Sequence, residues 1–234
     1  MTAFFSILKL LLIVVWSLFC IIIAGLVYLF TFSSRIPIFL AKHLWSKPML
    51  ILMGSRIKVS GRENIDSDKN YLIFSNHCSY ADIPVLFNSL PLYIRFIGKN
   101  ELKKIPFLGI YMRISGMIFI DRSKPRKAKA SLEDAAKLLH TGKNVVIFPE
   151  GTTIEDGKIA PFKRGCHTLA TLGEKDILPV RIRGTLSIWP ISSNLKMKNG
   201  RIQVIIGKAI SYEEIKDMKA TEFLKKMQNR LEEL

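Results

Sequence analysis

Cysteine and negative charge are scarce in this 234-residue chain, and one long stretch carries no charge at all. The three cysteines, Cys20, Cys78 and Cys166, form no C-x-x-C pair. That excludes a disulfide scaffold and a cysteine-based metal or redox motif, and it suits a reducing compartment. His43, His140 and His167 show no ligand spacing with acids or cysteines, so no metal is expected. A G-x-S-x-G nucleophile elbow, internal repeats and low-complexity segments are missing as well. So are zinc-finger spacing, an RNP-like aromatic motif and an isolated basic helix, which argues against nucleic acid as a partner. Acids number 19 against 35 Lys+Arg, a net charge of +16, while 49% of the residues are apolar. A disordered chain could not keep that much apolar surface solvated. The length fits one catalytic-size domain with something added. A mean hydropathy of +0.23 beside so much charge requires the two to occupy different parts of the chain.

The uncharged stretch runs from Leu10 to Phe32. A helix of about 20 apolar residues crosses a hydrocarbon core of about 30 Å, so this one is long enough. A cleaved signal would have an apolar region of about 7–15 residues followed by a small-residue cleavage site, which fits less well. A hairpin dipping into one leaflet stays open, because Ile36–Leu40 and Met49–Met53 continue the apolar theme. Only Lys9 precedes the centre of the stretch, whereas Arg35, Lys42, Lys47, Arg56 and Lys58 follow it with no acid before Glu63. By the positive-inside tendency the remainder faces the cytoplasm, and the basic stretch lies against anionic headgroups. The expected division is a membrane anchor and basic interfacial segment over residues 1–60 and a catalytic domain over 61–234, located at the cytoplasmic or inner membrane.

Past residue 60, β-rich runs alternate with helical patterns. Tyr71–Phe74, Tyr93–Ile97, Met117–Ile120, Val145–Phe148, Ile177–Ile182 and Ile202–Ile206 are strand candidates. Ser131 to His140 reads as a Ser-capped helix closed by Gly142, and Tyr212 to Leu234 as a final amphipathic helix. Near-continuous apolar strands separated by helices predict an α/β fold, a mostly parallel mixed sheet covered by helices and preceded by the membrane helix. Ligands of such sheets bind beyond the carboxyl ends of the strands.

Three strand candidates stop at polar clusters. In the first, Ser75 to Asp82, His77 and Asp82 are five positions apart, about 140° of helical turn short of sharing a face. They meet if His77 lies in a loop and Asp82 in the first turn of the next helix, as the capping-box pattern Ser79-x-x-Asp82 suggests. The pair then gives a carboxylate-oriented imidazole that can take a proton from an alcohol. Alone, the same residues also read as a helix start beside a loop histidine. In the second, Gly116 to Arg122, Arg122 offers a fork for phosphate or half of a surface ion pair. The third, Phe148 to Thr152, is a tight turn or a place where the backbone approaches a ligand. Lys163 and Arg164 add cations before a predicted helix, where a solvated basic turn looks the same.

Together the blocks resemble the lysophosphatidate acyltransferase family, the 1-acylglycerol-3-phosphate acyltransferases. Asn-His-x-Ser-x-x-Asp is matched at Asn76, His77, Ser79 and Asp82; Gly-x-x-Phe-Ile-Asp-Arg from Gly116 to Arg122; Phe-Pro-Glu-Gly-Thr from Phe148 to Thr152; and Pro-Val at Pro179-Val180. Glu101 to Gly109 looks like the family's connecting segment, and order and spacing hold from about Tyr71 to Ile182.

The resemblance implies transfer of a fatty acyl group from acyl-CoA or acyl-carrier protein to the free hydroxyl of lysophosphatidate in the membrane, giving phosphatidate without a cofactor or metal. It makes His77 the general base and Asp82 its orienting partner, with Asn76 beside the reacting oxygens. Arg122, Glu150, Gly151 and Thr152 are implied to hold the glycerol phosphate, and Cys78 is a bystander. Many family members carry Arg and Ser after Gly-Thr, where this chain has Thr153 and Ile154. Lys163, Arg164 or Arg181 are then the substitutes for the missing cation. The departure leaves other acceptors open, such as lyso-ornithine lipid. A thioesterase using the same base, and a catalytically silent lipid-binding protein, are the remaining alternatives.

Overall fold

The computed structural model describes residues 2–191 and 196–234. It opens with α1 (Thr2–Thr31), α2 (Arg35–Leu40), a π-helical turn (Ala41–Trp45) and α3 (Ser46–Leu52). The π turn directly precedes the segment holding Pro48, which has no N–H to give the helical ladder. There follow β1 (Ser55–Ser60), β2 (Leu72–Ser75), α4 (Asp82–Ser89), β3 (Ile94–Lys99), α5 (Leu108–Ile114), β4 (Ile118–Ile120), α6 (Pro125–His140) and β5 (Asn144–Ile147). The chain continues through α7 (Arg164–Gly173), β6 (Ile177–Arg183), α8 (Thr185–Ile188), β7 (Gly200–Ile206) and α9 (Ala220–Glu232).

The seven strands form one sheet in the order β1-β7-β6-β2-β5-β3-β4. β6, β2, β5, β3 and β4 are mutually parallel, and β7 joins β6 antiparallel and carries β1 parallel to itself. This is the mixed, mostly parallel sheet expected. Alternate residues of a strand serve opposite cores. Ile73, Val146 and Leu178 pack against the α1–α5 side, while Leu72, Phe74, Val145 and Ile177 pack against α6, α7 and α9. Burial on both faces is why the central strands read as unbroken apolar runs.

All six strand candidates are strands. The seventh, β1, falls in the segment grouped by sequence with the basic interfacial stretch. Its residues alternate half-buried and exposed, as an edge strand's do, and its apolar content is too low to stand out. Two helix starts also differ. Helix α6 begins six residues before Ser131, with Pro125 pre-set for the first turn. Ser131 is therefore inside it, its Oγ donating to the Lys127 carbonyl at 3.0 Å. Tyr212–Glu214 is a separate 3-10 turn closed by a Ser211/Glu214 capping box, and the helix proper begins at Ala220.

Helix α1 is long and apolar enough to cross a bilayer, with a mean hydropathy of 3.0 over Phe4–Thr31. One side docks on the domain: Ile13 is buried, Trp45 Nε1 donates to Ser17 Oγ at 2.9 Å, and Lys9 Nζ donates to Asn199 Oδ1 at 2.8 Å. The other side exposes Leu8, Leu11, Val15, Phe19, Ile22, Leu26 and Phe30. So large an apolar face associates with a membrane.

Candidate active site

The site lies where β2, β4 and β5 end. The loop over residues 76–81 leaves β2 and α4 begins at Asp82, so the side chains of His77 and Asp82 converge despite their unfavourable helical spacing. His77 Nδ1 and Asp82 Oδ2 are 2.8 Å apart. The same Oδ2 accepts the backbone N–H groups of Cys78 at 2.8 Å and Ser79 at 2.9 Å. Asp82 is fully buried, and these donors hold its carboxylate in one orientation. Half of the expected capping box forms: Asp82 accepts from Ser79 N, but Ser79 Oγ donates to the Trp189 carbonyl at 2.6 Å and accepts from Ala81 N. The imidazole stacks on Phe148, with ring centroids 4.1 Å apart at 16°, and His77 lines a cavity.

The turn after β5 clamps His77 by its backbone. Glu150 Oε2 accepts the His77 N–H at 3.0 Å, and Ile154 N donates to the His77 carbonyl at 2.9 Å. Glu150 is 1% exposed, and desolvation pushes its carboxyl up to about 7, against the lowering effect of the His77 and Ala160 amides. Glu150, expected at the substrate phosphate, is thus engaged through Oε2 by the His77 backbone. Asn76, expected beside the reacting oxygens, likewise bonds to backbone. Its amide donates to the Ile182 carbonyl at 2.9 Å and accepts the Ile182 N–H at 2.8 Å, stitching the end of β2 to β6 instead of facing a ligand. Cys78 is buried with its thiol pushed up to about 12, chiefly by desolvation, which makes it an inert neighbour.

Arg122, just past β4, crosses to the same turn and donates through Nη1 to the Gly151 carbonyl. Asp121 does not pair with it: Asp121 instead accepts from Ser123 N at 2.9 Å and lies 3.3 Å from Lys127 Nζ. Gly151 has φ +72°, and a Cβ there would lie 3.0 Å from Lys163 Cγ and 3.5 Å from Arg122 Nη1. Glycine thus lets two cations close over one turn. Of the three substitutes for the missing family cation, Lys163 lines the site beside Thr152 and Thr153. Arg181 turns away, its Nη1 donating to the Leu231 carbonyl at 3.0 Å, and Arg164 opens α7 on an exposed face.

From this polar end a cavity of about 1050 Å³ runs between the sheet and the N-terminal helices. His77, Arg122, Thr152 and Lys163 line its head, and Leu18, Ile21, Phe87, Phe96, Leu108 and Met112 are among its apolar walls. Its volume is at the upper limit of small-molecule sites, about 300–1,000 Å³, so it has room for a long chain. The apolar wall supplied by α1 could not be located from sequence, because hydropathy does not say against what a helix docks.

These features define a class: an α/β protein with an aspartate-held histidine at the head of a long apolar cavity, the arrangement that general-base chemistry on an amphiphile requires. A family model described as Acyltransferase matches residues 56–183, more than half of the chain. The chain belongs to the acyltransferase family. It is 35% identical over 173 residues to the chloroplastic 1-acyl-sn-glycerol-3-phosphate acyltransferase LPAT1 of Arabidopsis thaliana, covering 74% of this chain and 48% of that one. To the Bacillus subtilis 1-acyl-sn-glycerol-3-phosphate acyltransferase it is 29% identical over 201 residues, covering 80% and 96%. The crystal structure of the 1-acyl-sn-glycerophosphate (LPA) acyltransferase PlsC from Thermotoga maritima superposes with a TM-score of 0.81 at 25% identity, over 98% of this chain and 95% of that one. The chain spans about half the length of the plant relatives it matches.

Proposed function

We propose that the protein transfers a fatty acyl group from an acyl thioester to the free sn-2 hydroxyl of lysophosphatidate, forming phosphatidate at a membrane surface. The observation that carries this is the 2.8 Å His77–Asp82 pair at the head of an apolar cavity, with Arg122 and Lys163 beside it. Asp82 holds Nδ1 protonated, so Nε2 is the basic nitrogen. As the hydroxyl oxygen attacks the thioester carbonyl, Nε2 takes its proton. When the tetrahedral intermediate collapses, the C–S bond breaks and the imidazolium returns that proton to the leaving thiolate. An ester and a free thiol result, with no acyl-enzyme. Arg122 and Lys163 supply the charge that seats the acceptor's phosphate, with Thr152 beside them.

Acyl-CoA and acyl-carrier protein are both acidic donors that suit the basic surface. The basic residues that follow α1 favour the cytoplasmic side for the catalytic domain. Thr153 lines the cavity head where many family members have a cation, which favours as second reading an acceptor without a terminal phosphomonoester, such as lyso-ornithine lipid.

The test is an assay of purified full-length protein in nanodiscs with radiolabelled acyl-CoA or acyl-carrier protein and a panel of lysolipids. Labelled phosphatidate from the wild type, lost in His77→Ala, supports the proposal. Acylation of another lysolipid moves the reading to the second acceptor, and label released only as free fatty acid replaces it with a thioesterase.

A further inference from the structure

The guanidinium of Arg95 is buried without a counter-ion at the amino end of β3, whereas His77 follows the carboxyl end of β2. Arg95 is the second residue of β3 and only 3% exposed. Its Nη2 donates to Ser34 Oγ at 3.3 Å, and its Nε has no partner. Among the described residues no carboxylate forms an ion pair with it, and the one neighbouring charge that acts on it is the cation Arg35. Lys143, immediately before β5, lies in the field of both arginines and is held below the usual ammonium range by burial and by them. The backbone at Gly116, before β4, passes over the group: a Cβ there would lie 3.3 Å from Arg95 Nε and 3.7 Å from Ser34 Oγ.

A buried charge left unpaired costs several kcal/mol, and native chains pair or hydrogen-bond such groups. Among the described residues the charges that act on Arg95 and Lys143 are cationic and no carboxylate pairs with Arg95, so an anion from outside the chain would relieve the site. The fork of a guanidinium beside a serine hydroxyl matches a tetrahedral oxyanion better than it matches a single point charge. The location narrows the source. Ser34 and Arg35 follow directly on α1, whose last residues expose Phe30 at 86% and are followed by Phe32 at 77%. Apolar side chains meeting cations at the end of a membrane helix mark the level of lipid headgroups.

We propose that Arg95, with Arg35, Lys143 and Ser34, binds a phosphate group, carried by an anionic phospholipid headgroup, at a site distinct from the His77 cavity. None of the four residues lines that cavity.

The test is a thermal melt of full-length protein in neutral detergent at constant ionic strength. It is titrated in turn with dihexanoyl phosphatidylglycerol, its zwitterionic phosphatidylcholine counterpart and inorganic phosphate. Phosphatidylglycerol is expected to raise Tm saturably and phosphatidylcholine to leave it unchanged. Arg95→Met is expected to weaken the apparent affinity about tenfold or more, and to melt no lower than wild type without anion because it removes an unpaired buried charge. Arg35→Ala and Lys143→Ala, on exposed and half-buried positions, are each expected to weaken it about threefold, which keeps the test valid if Arg95→Met does not fold. Arg122→Ala, at the proposed acceptor site, should respond as wild type does. Equal protection by inorganic phosphate would support the site and name free phosphate as its ligand. Protection by neither anion, or protection unchanged in all three variants, would overturn it.

Discussion

The carboxylate of Glu150 accepts the backbone N–H of His77 at 3.0 Å, joining the turn after β5 to the loop after β2. With the Ile154 amide on the His77 carbonyl, this fixes the main chain of the proposed base on both sides, while Asp82 fixes its ring. The third block is thereby divided: Glu150 faces inward to hold the histidine, and Gly151 and Thr152 face the cavity.

Burial of Glu150 makes stability depend on pH. Its carboxyl is raised from 4.5 to about 7, first by desolvation and then by Asp82, so the folded state holds the proton more tightly than the unfolded one. The stabilisation from this group is complete below about pH 4.5 and is lost as pH rises to about 7, roughly 3 kcal/mol in all. Glu150→Gln retains an acceptor oxygen for the His77 amide and cannot titrate. Urea unfolding in detergent from pH 5 to 8 should therefore slope downward for wild type and be flatter for the variant. Identical slopes would assign the pH dependence to other groups.

Asp82→Asn is expected to lose activity and stability together. The Asp82 Oδ2 accepts from His77 Nδ1 and from two backbone amides. An amide side chain must either turn its NH2 toward donors or give the histidine the wrong tautomer. Leaving a buried donor unmatched costs about 1–3 kcal/mol, and removing the oriented base lowers kcat about 10²–10⁴-fold. Single-turnover acyl transfer beside a melting curve checks both parts. A variant that melts lower yet turns over normally would remove Asp82 from the mechanism.

Asn76→Ala separates a structural residue from a binding one. Both of its strong hydrogen bonds go to the backbone of Ile182, inside the sheet. Losing them leaves a buried N–H and C=O unpaired, a destabilisation of about 2 kcal/mol or more. The folded fraction should keep the acceptor KM of wild type. A KM raised tenfold with unchanged Tm would restore Asn76 to the substrate site.

The fold was legible where burial is two-sided. Leu72–Ser75, Asn144–Ile147 and Ile177–Arg183 are nearly all buried, and their apolar runs identify them as strands without any partner being known. Ser55–Ser60 has no such apolar run, because an edge strand needs only alternate residues inside. In the site, the motifs name residues that the fold brings together, and two of them bond to backbone instead of facing the cavity. Glu150 and Asn76 are expected at the substrate because the family resemblance implies it. Their actual partners, His77 N and Ile182, are backbone atoms 73 and 106 positions away, and sequence carries no mark of such pairings. The unpaired Arg95 was equally invisible, since the lack of a counter-ion is a property of three-dimensional neighbourhood.

The phosphate end of the cavity makes the last prediction. Gly151 adopts φ +72°, and its carbonyl receives Arg122 Nη1 while Lys163 Cγ comes within 3.0 Å of where a Cβ would stand. Alanine here meets both a backbone penalty of about 1 kcal/mol and a side chain that must move aside. Lys163 is the nearer neighbour, so it is the cation displaced most, and Arg122 shifts with the turn it grips. Gly151→Ala should raise the KM for lysophosphatidate about tenfold while leaving the affinity for the acyl donor's chain near that of wild type, because the apolar walls are untouched. Arg122→Ala should reproduce the KM effect with little loss of stability, since the side chain it removes is exposed. If Gly151→Ala instead lowered kcat with KM unchanged, the turn would be acting on His77 through Glu150, and the phosphate role of Arg122 and Lys163 would lose its support.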